Sequence, residues 1–231
     1  MGFTDLFSAL KFSLVVSLPS NDLKLAKAAL DGGAHAIKVH CNVWHRASGR
    51  TFGTYAENKD FLQELIALCG DVPVGLVPGT SEAFISETEL KELEEMGLDF
   101  ISAYSHHLPS FAMDSSRITN AVAIGCDYTE SMLDAVRDSD IAVLECSVVR
   151  GEEYGQALTC ADILQYSSIV KRTEKPCMVP TQKNIRPEDV KYLYRAGCKA
   201  LMIGAIVLGQ DPTPEEVREK TAAFRAAVDA L

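Results

Sequence analysis

Eight short apolar runs, each separated from the next by a segment with helical start and stop signals, constrain this chain more than any other feature. The runs cover residues 12–18, 36–41, 74–77, 100–103, 121–125, 141–146, 177–180 and 200–204. Strands that are apolar almost throughout have both faces buried, as in a parallel sheet covered by helices. The intervening segments supply the helices. Thr54-x-x-Glu57, Ser86-x-x-Glu89 and Thr213-x-x-Glu216 have capping-box spacing, in which hydroxyl and carboxylate satisfy amides that the first helical turn leaves without partners. Pro187 and Pro214 suit a first helical position, where no N–H is needed. Gly32-Gly33, Gly97 and Gly197 fall where helices should end, shortly before the next strand. Eight such units in 231 residues predict one domain, residues 1–231, folded as a single (β/α)8 TIM barrel rather than an open sheet.

Composition narrows the partners. The formal net charge is −10 and no basic cluster is present, which argues against nucleic acid. No stretch reaches membrane-spanning length, so no membrane partner is expected. The apolar run 12–18 is too short for a secretory leader and is followed by a helix start, so a cytoplasmic location is expected. The seven cysteines are odd in number and scattered, which fits reduced buried thiols better than a disulfide framework or a zinc ribbon. Barrels of this class often form homodimers, although no stretch of the sequence marks an interface.

In such barrels the site lies at the carboxyl ends of the strands. The stretch 176–209 reads as the last two β/α units, whose turn and following helix start commonly hold a phosphate. Lys183 and Asn184 in the turn, with Gly204 and Ala205 at the helix start, are the expected phosphate ligands, and the expected partner is a small phosphorylated metabolite.

In the second strand the two-residue period puts Ala36, Lys38 and His40 on one face and Ile37, Val39 and Cys41 on the other. The apolar set belongs under the helices, so Lys38 and His40 should point into the barrel. A lysine is expensive to bury there without an anion. Glu145 interrupts the sixth strand near its top and is the best general-base candidate. It could equally serve only to neutralise Lys38. The loop from Val43 to Gly53 carries the sole Trp with His45, Arg46 and Arg50, and is long for its kind; a lid, a binding loop, a solvated excursion or a subunit contact would each fit. Ser17, His45, Arg46, Asp127 and Gln182 complete the expected substrate contacts, Asp127 having a helix cap as its alternative role. A divalent metal on His40, His45 and His106 is the less favoured arrangement, because their spacing specifies no ligand geometry. No cofactor is called for.

The order of these motifs resembles the bacterial N-acetylmannosamine-6-phosphate 2-epimerases, within the ribulose-phosphate-binding barrels. Leu14-Val-Val-Ser17 followed by Ala26 to Ala34 is similar to that family's first β/α unit. Pro73 to Gly79 with Ser81-Glu82 and Ile85-Ser86 resembles its third, Asp127-Tyr-Thr-Glu130 its strand-5 motif, and Gly204-Ala-Ile206 its phosphate loop. The resemblance implies a phosphosugar isomerase or epimerase. Lys38 stands where the family has an arginine, Pro78 where its catalytic lysine falls, and Gln182 where its catalytic glutamate falls. The expected chemistry therefore moves to Lys38, His40 and Glu145. A lyase or aldolase using Lys38, or a barrel that binds a phosphometabolite without turnover, are the alternatives.

Overall fold

The computed structural model describes residues 2–114 and 117–231. Its strands are β1 (Ser13–Ser17), β2 (Ala36–His40), β3 (Val43–His45), β4 (Arg50–Phe52), β5 (Val74–Val77), β6 (Phe100–Tyr104), β7 (Thr119–Ile124), β8 (Val143–Cys146), β9 (Cys177–Pro180) and β10 (Ala200–Ile203). Eight of them are parallel and close into a barrel in the order β1-β10-β9-β8-β7-β6-β5-β2, as the alternation predicts. The other two, β3 and β4, pair antiparallel as a hairpin inside the long loop after β2. The helices are α1 (Asp5–Ala9), α2 (Leu23–Asp31), α3 (Tyr55–Cys69), α4 (Glu87–Met96), α5 (Glu130–Arg137), α6 (Cys160–Thr173), α7 (Val190–Arg195), α8 (Ala205–Leu208) and α9 (Pro214–Asp229). Among the described residues, none of them is long and apolar enough to cross a membrane.

Local chemistry sets the boundaries. The three predicted capping boxes form at Thr54, Ser86 and Thr213, and a fourth forms at Thr159 with Asp162. Asp127 is not a cap; Thr129 accepts from the Met132 amide and starts α5 two residues later than the spacing suggested. Of the paired glycines, Gly33 takes the left-handed conformation (φ 91°) and Gly32 stays helical. Pro187 opens a short 3-10 turn, Pro187–Asp189, and α7 begins only after it.

Alternation along each strand builds two separate apolar layers. Leu14, Val16, Ile37, Val39, Leu76, Leu144, Val179 and Leu201 pack outward against the helices. Val15, Ala36, Phe100, Ala121, Val143, Met178 and Ala200 fill the barrel interior toward its amino end. A feature absent from the sequence reading completes that inner layer. The segment leading into α1, and α1 itself, press Phe3, Leu6 and Phe7 up against the interior residues. The Phe3 and Phe100 rings stack with centroids 3.7 Å apart. Phe100 occupies so much of the interior that a Cβ on Gly75, the neighbour of Phe100 in register, would lie 2.1 Å from its ring. Position 75 therefore takes no side chain. Above this apolar floor the same alternation brings Ser17, Lys38, Ser102 and Glu145 inward, into the lining of a cavity.

Candidate functional site

Lys38 and Glu145 meet across the barrel axis. Around the closed sheet three strands separate β2 from β8 on either side, β1, β10 and β9 one way and β5, β6 and β7 the other. The Lys38 ammonium stands 3.5 Å from Glu145 Oε2, and both side chains are buried, 6% and 7% exposed. Glu145 is held from two further directions: Ser102 Oγ donates to Oε2 at 2.5 Å and Ser147 Oγ to Oε1 at 2.8 Å. A buried carboxylate needs both a counter-charge and hydrogen bonds to offset its lost hydration, and here it has both. The two serines add fixed geometry to the pair, so the carboxylate cannot rotate freely. Ser102 and Ser147 were not among the sequence candidates, since one serine in an apolar strand and another just after one carry no distinguishing signal.

The pair forms the floor of a cavity of about 390 Å³ at the carboxyl ends of the strands, lined also by Ser17, His40, His45, Arg46, Thr181, Gln182, Gly204 and Ala205. His40 is fully buried, packed between the His45 ring at 4.4 Å and the Phe52 ring at 4.6 Å. Neither of its ring nitrogens has a hydrogen-bond partner among the described residues. Burial, followed by the neighbouring His45 and Lys38, holds its pKa well below the ordinary imidazole value. His45 is lowered to about 4, chiefly by burial and then by Lys38, with Glu145 opposing. Its Nδ1 lies 2.8 Å from Ser48 Oγ. His35, outside the cavity, is likewise lowered to about 4 by burial and by Arg225, and its Nδ1 accepts from the Leu14 amide.

These three imidazoles are neutral in the fold and protonate readily once it opens. In the unfolded chain they take up protons near the ordinary value of 6.5, while in the fold His35 and His45 resist protonation until about 4. Their stabilising contribution is therefore complete above pH 6.5 and lost progressively as pH falls toward 4. Urea midpoints measured between pH 7 and pH 4 should fall through this window, and His45→Gln should flatten the slope. A midpoint constant across the window would contradict the neutral assignment.

Gln182 has both ends of its amide engaged. Its Oε1 accepts from the Val149 amide at 3.0 Å and its Nε2 donates to the Tyr154 hydroxyl at 2.6 Å. Burial raises the pKa of both Tyr104 and Tyr154, and Tyr104 is electrostatically coupled to Tyr154 and Ser147. Gln182 thus ties the loop after β8 to the turn after β9. Tyr104, Tyr154 and Thr181 also line the cavity, beyond the expected contacts.

Three expected ligands lie elsewhere. Lys183 does not line the cavity: its ammonium donates to Glu153 at 2.8 Å and stands 3.8 Å from Asp162. Asn184 is exposed and pairs through its backbone with Gln156. Asp127 is exposed beyond β7 and also stays outside the lining. Lys183 lies past the last paired residue of β9, and its ammonium is drawn to Glu153 and Asp162 instead of into the cavity. At the next strand top the Gly204 amide donates to Thr181 Oγ1 at 2.9 Å, leaving the first amides of α8 beside the cavity wall. The three histidines considered for metal do not converge. His106 packs with Tyr104 and His107, and among the described residues no group of three His, Cys, Asp or Glu side chains is placed to hold a metal.

A closed eight-stranded α/β barrel with its polar residues collected in one cavity at the strand carboxyl ends defines the class: a (β/α)8 barrel with a site in the position that barrel enzymes use. Solved structures share that fold. Phosphoribosyl anthranilate isomerase from Thermus thermophilus aligns at a TM-score of 0.63 and 15% identity, covering 94% of this chain and 98% of that one. KGPDC from Streptococcus mutans gives 0.67 and 14%, over 95% and 98%. The tryptophan synthase α-subunit from Pyrococcus furiosus gives 0.69 and 13%, over 93% and 98%. No protein-family model matches the sequence, and no curated protein matches it. At these identities the likeness establishes the fold.

Proposed function

We propose that the protein is an enzyme acting on a small phosphorylated sugar-like substrate by moving a proton next to a carbonyl, as an isomerase or epimerase. The observation that carries this reading is the buried Lys38–Glu145 pair, with the carboxylate fixed by Ser102 and Ser147 at the floor of the cavity. Glu145 takes the proton from the carbon beside the carbonyl, and the electron pair left behind moves onto the carbonyl oxygen as an enolate. Lys38 supplies the positive charge where that oxygen becomes negative. Return of the proton to the other face, or to the neighbouring carbon, completes epimerisation or isomerisation. His40, neutral and with two unpartnered ring nitrogens, is the second acid–base group. Ser17, Thr181 and the Gly204–Ala205 turn form the phosphate end. A cavity of about 390 Å³ suits a ligand of sugar phosphate size.

The resemblance to N-acetylmannosamine-6-phosphate 2-epimerases supports the same reaction type with different residues. Pro78 has no acid–base chemistry, and the Gln182 amide is spent on Val149 and Tyr154. The runner-up is a lyase in which Lys38 forms a Schiff base. It is favoured by the carboxylate standing 3.5 Å from the amine, ready to move the protons that imine formation requires.

A thermal-shift series of phosphosugars against their unphosphorylated parents tests the reading. Ligand at a hundred times its dissociation constant adds about 2.7 kcal/mol, a shift of a few degrees at this size. The stabilising compound is then incubated with enzyme in deuterium oxide and, separately, with borohydride. Deuterium entering a carbon-bound position supports the epimerase or isomerase; inactivation by borohydride only with substrate present supports the lyase. Stabilisation with neither would make the protein a binder, and no preference for phosphorylated compounds would overturn the reading.

A further inference from the structure

We infer that the hairpin β3–β4 is a lid over the cavity and that its Arg46 receives the anionic group of the ligand, with the Arg50–Asp211 ion pair as the latch. The inference rests on the phosphometabolite reading and adds the group that binds the anion and the motion that brings it there.

The charges near the cavity single out Arg46. Lys38 is committed to Glu145. Lys183 is committed to Glu153 and Asp162 and faces away. His40 and His45 are held uncharged by burial. Arg46 lines the cavity from the hairpin, is exposed, and makes no ion pair or side-chain hydrogen bond among the described residues. In a chain of net charge −10, where carboxylates outnumber cations, a guanidinium that lines the cavity without a carboxylate partner is an anion receptor. Its position is defined. It lies so close to Gly151 in the loop after β8 that a Cβ there would fall 3.0 Å from Nη1, and it sits 5.9 Å from the centre of the Trp44 ring.

The hairpin is built as a flap. Its two ends are pinched together, the Asn42 amide donating to the Gly53 carbonyl at 2.8 Å. Asn42 itself has φ 52°, in the left-handed region, and its side chain donates to the Pro78 carbonyl at 3.3 Å. Strand pairing between Val43 and Phe52, Trp44 and Thr51, and His45 and Arg50 makes the flap a unit. From that base it reaches over the mouth to the loop beyond α8, where Arg50 pairs with Asp211. Asp211 is 78% exposed and Arg50 42%, so the latch is a weak, solvent-screened surface pair. A contact of that size can break and reform during binding. Inside the flap, Phe52 and His45 rest on His40, so closure also places the roof over the unpartnered imidazole.

Trp44 is the only tryptophan and is 58% exposed, which makes its fluorescence a direct reporter of the flap. Inorganic phosphate, titrated against chloride at matched ionic strength, should change Trp44 emission saturably, and calorimetry on the same samples should return the same midpoint. Arg46→Gln should weaken phosphate at least about tenfold, the size of one charge-assisted contact. Asp211→Asn should weaken it less while raising the rate at which the emission change relaxes. Phosphate that binds by calorimetry with unchanged emission, or with unchanged affinity in Arg46→Gln, overturns the lid and leaves the phosphate site standing. Absence of binding heat overturns both.

Discussion

Glu145→Gln should lower turnover about 10²- to 10⁴-fold, the usual contribution of a positioned general base. The fold should survive the change. An amide of the same shape still accepts from one of Ser102 and Ser147 and donates to the other, and it removes a buried charge rather than creating one. Lys38 is then left without its counter-charge, but an amine at the cavity floor can shed its proton or draw in an anion. The measurement is deuterium wash-in from solvent on the phosphosugar that stabilises the wild-type protein, paired with urea unfolding of both proteins. Exchange that stays within a few-fold of wild type, with stability unaltered, would remove Glu145 as base and leave it as the counter-ion of Lys38.

Lys38→Met carries the second large effect, on stability as well as activity. It leaves Glu145 buried with two serines and no positive charge, and breaking a buried pair from one side costs about 3–5 kcal/mol. Lys38→Met/Glu145→Gln should recover most of that loss, because neither buried charge remains. The coupling from this cycle isolates the pair from the packing of the lysine stem. A single variant as stable as wild type would mean that Glu145 takes up a proton when Lys38 goes. Either way the enolate loses its electrostatic partner, so catalysis should not return in the double variant.

The barrel was legible because its signals are local and repeat: apolar runs, capping boxes and glycine stops. The inward direction of Lys38, His40 and Glu145 was legible for the same reason, since alternation along a strand fixes which face a side chain takes. Legibility failed where strands end. Lys183 and Asn184 sit past the last paired residue of β9, where no period constrains direction, and the acids that draw Lys183 away, Glu153 after β8 and Asp162 in the first turn of α6, are distant in sequence. Gln182 looked like a lost catalytic glutamate, yet its amide is a clamp between two loops. The hairpin hid inside a loop because each of its strands is only three residues long, too short for alternation to show. The α1 plug escaped notice because Phe3, Leu6 and Phe7 precede the first predicted strand and have no periodic partner in sequence.

That plug has a consequence for traffic. With Phe3, Leu6 and Phe7 closing the amino end against Phe100 and Met178, the barrel is a cul-de-sac. A molecule that enters past Trp44 and Arg46 must back out by the same doorway. Arrival and departure cannot overlap, and a hairpin acting as the lid proposed above would meter both.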